Sequence, residues 1–449
     1  MTDHDPGTLG RRGFIGALTA GAGMLAAAPR TAPAFARSRR APNIVLITAD
    51  DLGYGDLSGY GRADYQTPVL DRLAAEGTRF TQAYAIAPVC TPTRVGFMTG
   101  RYPARHPIGL LEPLSLSPEH RKLGLDASHP TISSLLKLAG YTNALFGKWH
   151  LGVAPAFHPN RHGFDEFFGP LSGAVDYVSH STPGGEPDLY RNDRPVDAPG
   201  YLTDLIADEA VRFIRQRREP FFLSHQGTAP HAPWQRRGDP PVGPGTGPYD
   251  AGPGDRYPDM VRALDDAAGR ILAAIAEEGL AERTLVIFTS DNGGVRYSSM
   301  GGLAGGKQQL WEGGIRVPMF MRLPGVIPVA LTTTQVATTL DLTATILAAA
   351  GVQPAASHPL DGIDLLPILT GSVPVRDRTI CWRTNRVTRH RAVRKGGWKY
   401  LRDENGEHLF DLVLDPGERR DVATDDPRRL AELGEEHAAW EREMLPSPA

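Results

Sequence analysis

The chain of 449 residues contains only two cysteines, Cys90 and Cys381, so a disulfide framework is excluded and a single bridge is the most it can form. It also lacks a dominant charge: 48 basic against 51 acidic residues leave a formal net charge of −3. No basic run occurs in the body of the chain, so nucleic-acid or polybasic membrane binding has no electrostatic footprint, and a small molecule or a glycan is the expected partner. There are no internal repeats. With 41% hydrophobic and 8% aromatic residues, the chain is neither disordered nor fibrous. Its length allows one large α/β domain plus a smaller one, or two to three ordinary domains.

Long apolar runs are scarce as well, and the notable one is N-terminal. In "TLGRRGFIGALTAGAGMLAAAPRTAPAFA", Arg11 and Arg12 precede Phe14, a mildly apolar stretch (13–28) and then Ala34-Phe35-Ala36. This reads as a twin-arginine export signal over residues 1–36, cut after Ala36, which sends the protein to the periplasm or outside the cell. A membrane anchor is the competing reading, but a spanning helix needs about 20 strongly apolar residues, and this stretch is rich in Gly and Ala. The twin-arginine route carries folded proteins, so Cys90 meets the cytosol first.

Beyond the signal, strands and helices alternate. "NIVLITADDLGYGD" (43–56) is a short apolar run ending in acids, the form of a strand buried on both faces. "TPVLDRLAAEG" (67–77) predicts a helix with Thr67 as N-cap, Pro68 at its first turn and Gly77 at its end. "TISSLLKLAG" (131–140) predicts another, followed by the strand in "YTNALFGKWHLG". Apolar residues at 260, 264, 268, 271 and 275 give residues 259–279 one buried helical stripe. "RTLVIFTSDNGG" is again a buried strand with a polar end. The alternation predicts an α/β fold, with a mostly parallel sheet covered by helices on both faces.

Two stretches break this pattern. Residues 238–254 hold eleven Gly or Pro in seventeen and read as a surface loop. Past residue 375 come short strands separated by Gly, Asn and Asp turns, then a helix near 427–443, which predicts a small antiparallel C-terminal unit. The expected division is a signal over 1–36, a catalytic domain over 37–375 and a C-terminal α+β subdomain over 376–449.

Ligand sites in open α/β sheets lie beyond the carboxyl ends of strands. Asp50 and Asp51 follow one buried strand, and Asp291 and Asn292 follow another. Such hard oxygens suit Ca²⁺ or Mg²⁺, whereas zinc prefers imidazole or thiolate. Either pair alone reads equally as caps of the following turn. Together, and with a third strand ending in Lys148-Trp149-His150, they favour a metal.

Cys90 precedes Thr-Pro-Thr-Arg. Pro92 at the first helical position would place residue 90 at a helix N-terminus, an anion-favouring place. A thiolate nucleophile beside Arg94 is one option and a buried structural cysteine another. A tyrosine-phosphatase-like loop is ruled out, because it needs arginine at position 96, which is Gly.

Cys90-Thr-Pro-Thr-Arg94 resembles the Cys-x-Pro-x-Arg signature of type I sulfatases. "GKWHLG" (147–152) is similar to the second signature of that family, "ITADDLGYGD" and "SDNGG" to its metal strands, "TAPHAP" (228–233) to its substrate-histidine segment and "GGKQQLWEGGIRVP" (305–318) to its lysine segment. "DGIDLLPIL" and "LFDLVLDPGE" extend the likeness, which covers residues from about 42 to about 422. The resemblance implies an alkaline-phosphatase-like α/β fold with a smaller C-terminal sheet, and hydrolysis of aryl or glycan sulfate monoesters. It implies that a maturation enzyme oxidises Cys90 to formylglycine, whose hydrate attacks sulfur with one oxygen and expels sulfate through the other. It further implies one Ca²⁺, or Mg²⁺ in its place, held by Asp50, Asp51, Asp291, Asn292 and residue 90. Arg94 would help deprotonate the nucleophile, Lys148 hold the hydrate and His150 take the proton that starts expulsion. His231 and Lys307 would contact the sulfate and serve the leaving group, with His225 a competitor for the acid role. Two alternatives belong beside this reading, a phosphate or phosphonate ester hydrolase on the same fold and a non-catalytic sulfoglycan-binding protein. Specificity is expected in loops such as 172–200 and 235–258.

Overall fold

A computed structural model describes residues 41–217, 220–243, 252–386 and 388–448. The segment expected to be an export signal and part of the Gly/Pro-rich loop lie outside the described residues. The strands of the larger part of the chain are β1 (Asn43–Ala49), β2 (Thr78–Phe80), β3 (Ala83–Tyr84), β4 (Thr142–Gly147), β5 (Glu166–Gly169), β6 (Tyr190–Arg191), β7 (Arg194–Pro195), β8 (Phe221–Gln226), β9 (Thr284–Ser290), β10 (Met319–Arg322), β11 (Leu331–Thr333) and β12 (Ala337–Thr338). Its helices are α1 (Pro68–Ala75), α2 (Cys90–Thr99), α3 (Ile132–Leu138), α4 (Leu202–Gln216), α5 (Tyr257–Glu277), α6 (Glu312–Ile315), α7 (Leu340–Ala349) and α8 (Leu366–Leu369).

Ten strands form one mixed sheet in the order β11-β2-β10-β9-β1-β8-β4-β5-β6-β7. Its centre, β9-β1-β8-β4-β5, is parallel throughout, while β10 and β6 run antiparallel to their neighbours. The continuous apolar run of β1 follows from burial on both faces. Val45, Ile47 and Ala49 pack with α1, α4 and α5, and Ile44 and Leu46 pack on the other side with α2, α3 and α7. The stripe expected on α5 is buried at all five positions, Met260, Leu264, Ala268, Ile271 and Ile275. Gly77 does not end α1 in a left-handed turn. It is a glycine because a Cβ there would stand 2.2 Å from the Met321 carbonyl oxygen on β10.

The C-terminal part is the antiparallel sheet β13 (Thr379–Arg383), β14 (Arg391–Lys395), β15 (Trp398–Asp403) and β16 (Gly406–Asp411), followed by α9 (Pro427–Arg442). One face of this sheet packs under α9 through Val393, Tyr400, Leu409 and Leu433. The other face docks on the main body through Ile380, Trp382, Leu401 and Phe410 against Tyr84, Leu310 and Ile315. The two cysteines are unpaired and buried. No described helix is long and apolar enough to cross a membrane.

Candidate active site

Strand register assembles the site. Ala49 lies opposite Ser290, and both Thr48 and Gly147 lie opposite Gln226, so β9, β1, β8 and β4 end along one edge. The next residues, Asp291-Asn292, Asp50-Asp51 and Lys148, are thereby neighbours at the carboxyl edge of the sheet. Gly147 makes the exit of β4 possible: its φ is 116° and a Cβ would stand 1.7 Å from the Gln226 carbonyl oxygen. Against this edge lies α2, which begins at Cys90 itself, with Val89 as N-cap. Pro92 is therefore the third helical residue, not the first as the sequence suggested. Its missing N–H is harmless there, because the first four helical N–H groups have no partner within the helix.

Three buried carboxylates face three cations across this edge. Lys148 Nζ donates to Asp50 Oδ2 at 2.6 Å. Arg94 donates to Asp291 Oδ2 from Nη2 (2.9 Å) and Nε (3.2 Å), and from Nη1 to the Lys148 carbonyl (2.9 Å) and Gln226 Oε1 (3.2 Å). Lys307 Nζ lies 2.6 Å from Asp51 Oδ1 and 2.8 Å from Oδ2. The Asn292 amide donates to Asp51 Oδ1 (2.8 Å) and to the Gly293 carbonyl (2.9 Å). His150 Nε2 donates to the Leu114 carbonyl (2.9 Å), which leaves Nδ1 as its unprotonated nitrogen, buried and without a partner among the described residues. His231 Nδ1 donates to the Ala232 carbonyl (2.6 Å), which turns the Nε2 lone pair toward Asp51 Oδ2, 3.6 Å away.

Burial and crowding set the protonation states. Burial pushes the Asp50 and Asp291 carboxyls up, Asp51 adding to the push on both and Asp50 to that on Asp291, while Arg94 and Lys148 oppose it. Burial would raise Asp51 too, but Lys307, His231 and Lys148 together hold it well below the usual carboxylate range. Lys307 is correspondingly held above its ordinary value despite its burial, chiefly by Asp51. Burial, with Lys148 beside it, pushes His150 down to about 3. Burial likewise pushes His231 down to about 3, with Asp51 opposing. Both imidazoles are neutral at pH 7. His225, one residue before Gln226, is pushed down to about 4 by burial alone, so it stands outside this charge cluster.

The sulfatase family model matches residues 42–352. The chain belongs to the sulfatase family. A second family segment, described as N-sulphoglucosamine sulphohydrolase, C-terminal, matches residues 306–436. N-acetylgalactosamine-6-sulfatase of Rattus norvegicus is 37% identical over 73% of this chain, which spans only 66% of that protein, just under two thirds. Arylsulfatase A of Bos taurus is 34% identical over 89% of this chain and 80% of its own length. Among solved structures, that of Ps i-CgsB in complex with k-i-k-neocarrahexaose superposes with a TM-score of 0.79 at 32% identity, covering 89% of this chain and 93% of the other. The fold is the alkaline-phosphatase-like one of that family, as the sequence implied.

Sulfatases generally use a metal ion and formylglycine, and the donors here fit a hard cation. Asp50 Oδ1 and Asn292 Oδ1 are buried with no hydrogen-bond partner among the described residues. Both amide hydrogens of Asn292 are already committed, so its free oxygen is available as a ligand. Asp50, Asp51 and His231 each offer a ligand atom within 4.8 Å of the others. A cation would relieve the repulsion that raises Asp50 and Asp291.

The loop carrying Lys307 is fastened from the C-terminal sheet. The Leu310 amide donates to His390 Nδ1 (3.3 Å) and the Thr388 hydroxyl to the Gln308 carbonyl (2.9 Å). Five residues beyond Lys307, the fully buried Glu312 meets the fully buried Lys399 at 3.0 Å. Lys399 also meets Glu418 at 2.7 Å, and the Glu312 amide donates to Glu418 Oε2 at 2.6 Å. Tyr84 donates its hydroxyl to Glu312 Oε2 (2.7 Å).

Cys90, 1% exposed, lines a cavity of about 470 Å³ together with His150, His231 and Lys307. Its outer wall comes from residues 172–174 and 182–186, inside the loop expected to carry specificity, and from 113–121, which no sequence signal marked. Among the described residues, none of 235–258 lines it. Gly173 is small for a reason: a Cβ there would stand 2.4 Å from His150 Nε2. Gln226, which orients Arg94, also carried no motif. Its only signal was its place at the end of a buried strand.

Proposed function

We propose that this protein hydrolyses sulfate monoesters, with a glycan as the preferred organic part. The observation that carries the reading is Cys90, which opens α2 on the wall of a cavity it shares with His150, His231 and Lys307, beside the acids at the strand ends. Oxidised to formylglycine, position 90 would supply the nucleophilic oxygen, and one Ca²⁺, or Mg²⁺, held by Asp50, Asp51, Asp291, Asn292 and residue 90 would supply charge that favours its deprotonation.

The other steps fall to the chain's own side chains. Arg94, held by Asp291, the Lys148 carbonyl and Gln226, is a fixed cation beside residue 90. Lys148 stays at the strand edge against Asp50 and orients the oxygens of residue 90. His150 holds a free base, Nδ1, that accepts a proton when sulfate is expelled. Lys307 keeps its proton and offers a cation to the sulfate. His231, neutral in the free protein, gains the proton it must donate when an anionic ester lies beside Nε2, because a nearby negative charge favours the imidazolium. The glycan preference rests on relatives named as N-acetylgalactosamine-6-sulfatase and on the neocarrahexaose complex of a structural neighbour.

A formylglycine-generating enzyme is the maturation partner, and the buried position of Cys90 requires it to act before the chain folds. The twin-arginine segment supports export to the periplasm. The test is a panel of nitrophenyl sulfate, 6-sulfated galactosamine disaccharides and nitrophenyl phosphate on protein whose position 90 has been checked by peptide mass. Sulfate esters should be the better substrates. A preference for phosphate, or full activity with an unmodified cysteine, would overturn the reading.

A further inference from the structure

A second cavity, of about 570 Å³, lies beside the first. Among the described residues the two share only His231 and Lys307 in their linings, so these side chains form a ridge between two lobes. The lobes differ in charge. In the first, Arg121 is paired with Glu186, and apart from the shared Lys307 the remaining wall is uncharged. In the second, Asp51 is neutralised by Lys307, whereas Arg296 is exposed and has no carboxylate partner among the described residues. Its guanidinium lies over the Tyr297 ring, 4.9 Å from the centroid.

That support is rigid. The Tyr297 ring stands edge-on to Trp234 at 4.7 Å, and its hydroxyl donates to the Gly252 carbonyl (3.1 Å). The Tyr297 backbone is held at φ 77°, while its carbonyl accepts from Arg62, itself bound to the buried Asp56. Two residues on, the Ser299 amide donates to the same Asp56 (2.7 Å). A guanidinium resting on a fixed ring has part of its freedom restricted before an anion binds.

We infer that the substrate is an anionic oligosaccharide seated across both lobes: the sulfated sugar lies in the Cys90 lobe, and an anionic group on the neighbouring unit is held by Arg296. The inference rests on the sulfatase reading for the role of the first lobe. The anion could be a uronate carboxylate or a second sulfate, so the test uses both. Sulfated oligosaccharides with a carboxylate-bearing, a sulfate-bearing or a neutral neighbour are compared on wild type and Arg296→Gln. At least one anionic series should exceed the neutral one in kcat/KM by about tenfold, the lower end for a charge-assisted hydrogen bond at an exposed site. Arg296→Gln should erase that advantage, and added salt should erode it in the wild type alone. No anionic preference in the wild type, or a loss in the variant that is equal for charged and neutral series, would overturn the inference. Calorimetry with the desulfated anionic oligosaccharides reads the second lobe without turnover. Weaker binding to Arg296→Gln supports it even if no sulfate ester is cleaved, in which case the sulfatase reading fails alone. Equal binding overturns it even if the enzyme is an active sulfatase.

Discussion

His225 offers a stability test that also separates it from the histidines proposed to act in catalysis. It lies on β8 between Ile47 of β1 and Phe146 of β4, 1% exposed, and neither ring nitrogen has a partner among the described residues. Burial pushes it down to about 4 from the ordinary 6.5. As pH falls below 6.5, the unfolded chain therefore binds a proton that the folded chain refuses. The stability tied to neutral His225 is fully present above pH 6.5, declines as pH falls and stops declining near pH 4. The difference of about 2.5 pH units corresponds to about 3 kcal/mol. His225→Leu removes the titration and suits the apolar neighbours, so its unfolding free energy should fall about 3 kcal/mol less than that of the wild type between pH 7 and pH 4. Urea denaturation at several pH values, followed by fluorescence, reads this slope whatever the variant's stability at pH 7. Parallel pH profiles would refute the reasoning. The same variant should keep its sulfate ester turnover within about twofold, because strand alternation turns residue 225 away from the face on which Gln226 meets Arg94.

Asp50→Asn should lose both turnover and bound alkaline-earth ion, measured by elemental analysis of the purified protein; stoichiometric zinc in active wild type would contradict the oxygen-donor site. His231→Ala should slow sugar sulfates by about 100-fold or more and nitrophenyl sulfate far less, because a poor leaving group needs a positioned acid. Equal losses across a series of leaving-group pKa values would remove that role from His231. Lys399→Met leaves the buried Glu418 without its cation and Glu312 with only Arg316 beside it, and denaturant midpoints should show a loss of about 3–5 kcal/mol. A loss below about 1 kcal/mol would mean that the two carboxyls share a proton instead.

The edge of the sheet was legible because parallel strands buried on both faces must be continuously apolar and can become polar only where they emerge. That is why "NIVLITADD" and "TLVIFTSDN" place their acids side by side. The stripe of α5 was legible for the same reason, since one face of a long helix must meet the sheet. The cavity wall at 113–121 was not. Between α2 and α3 the chain makes only short 3₁₀ turns, Pro103–Arg105, Pro107–Leu110 and His120–Lys122, which have no periodicity to read. The start of α2 was misjudged because proline tolerates several positions in the first turn. The contact of Glu312 with Lys399 joins residues 87 positions apart, and no local pattern announces such a pairing. Gly173 looks like any loop glycine until the His150 ring is seen against it.

The contacts that join Glu312, Lys399 and Glu418 below the Lys307 loop bear on how relatives can be recombined. A crossover placed anywhere between 312 and 399 would take an acid from one parent and the buried lysine that meets it from another. Unless both parents carry the same charges at the positions equivalent to 312, 399 and 418, the hybrid would bury charges whose balance was set by a different parent under the loop that presents Lys307. Libraries that exchange the small sheet to alter specificity should therefore move the crossover upstream of residue 305, so that loop and fastening are inherited together. The matched segment 306–436 already spans nearly that block.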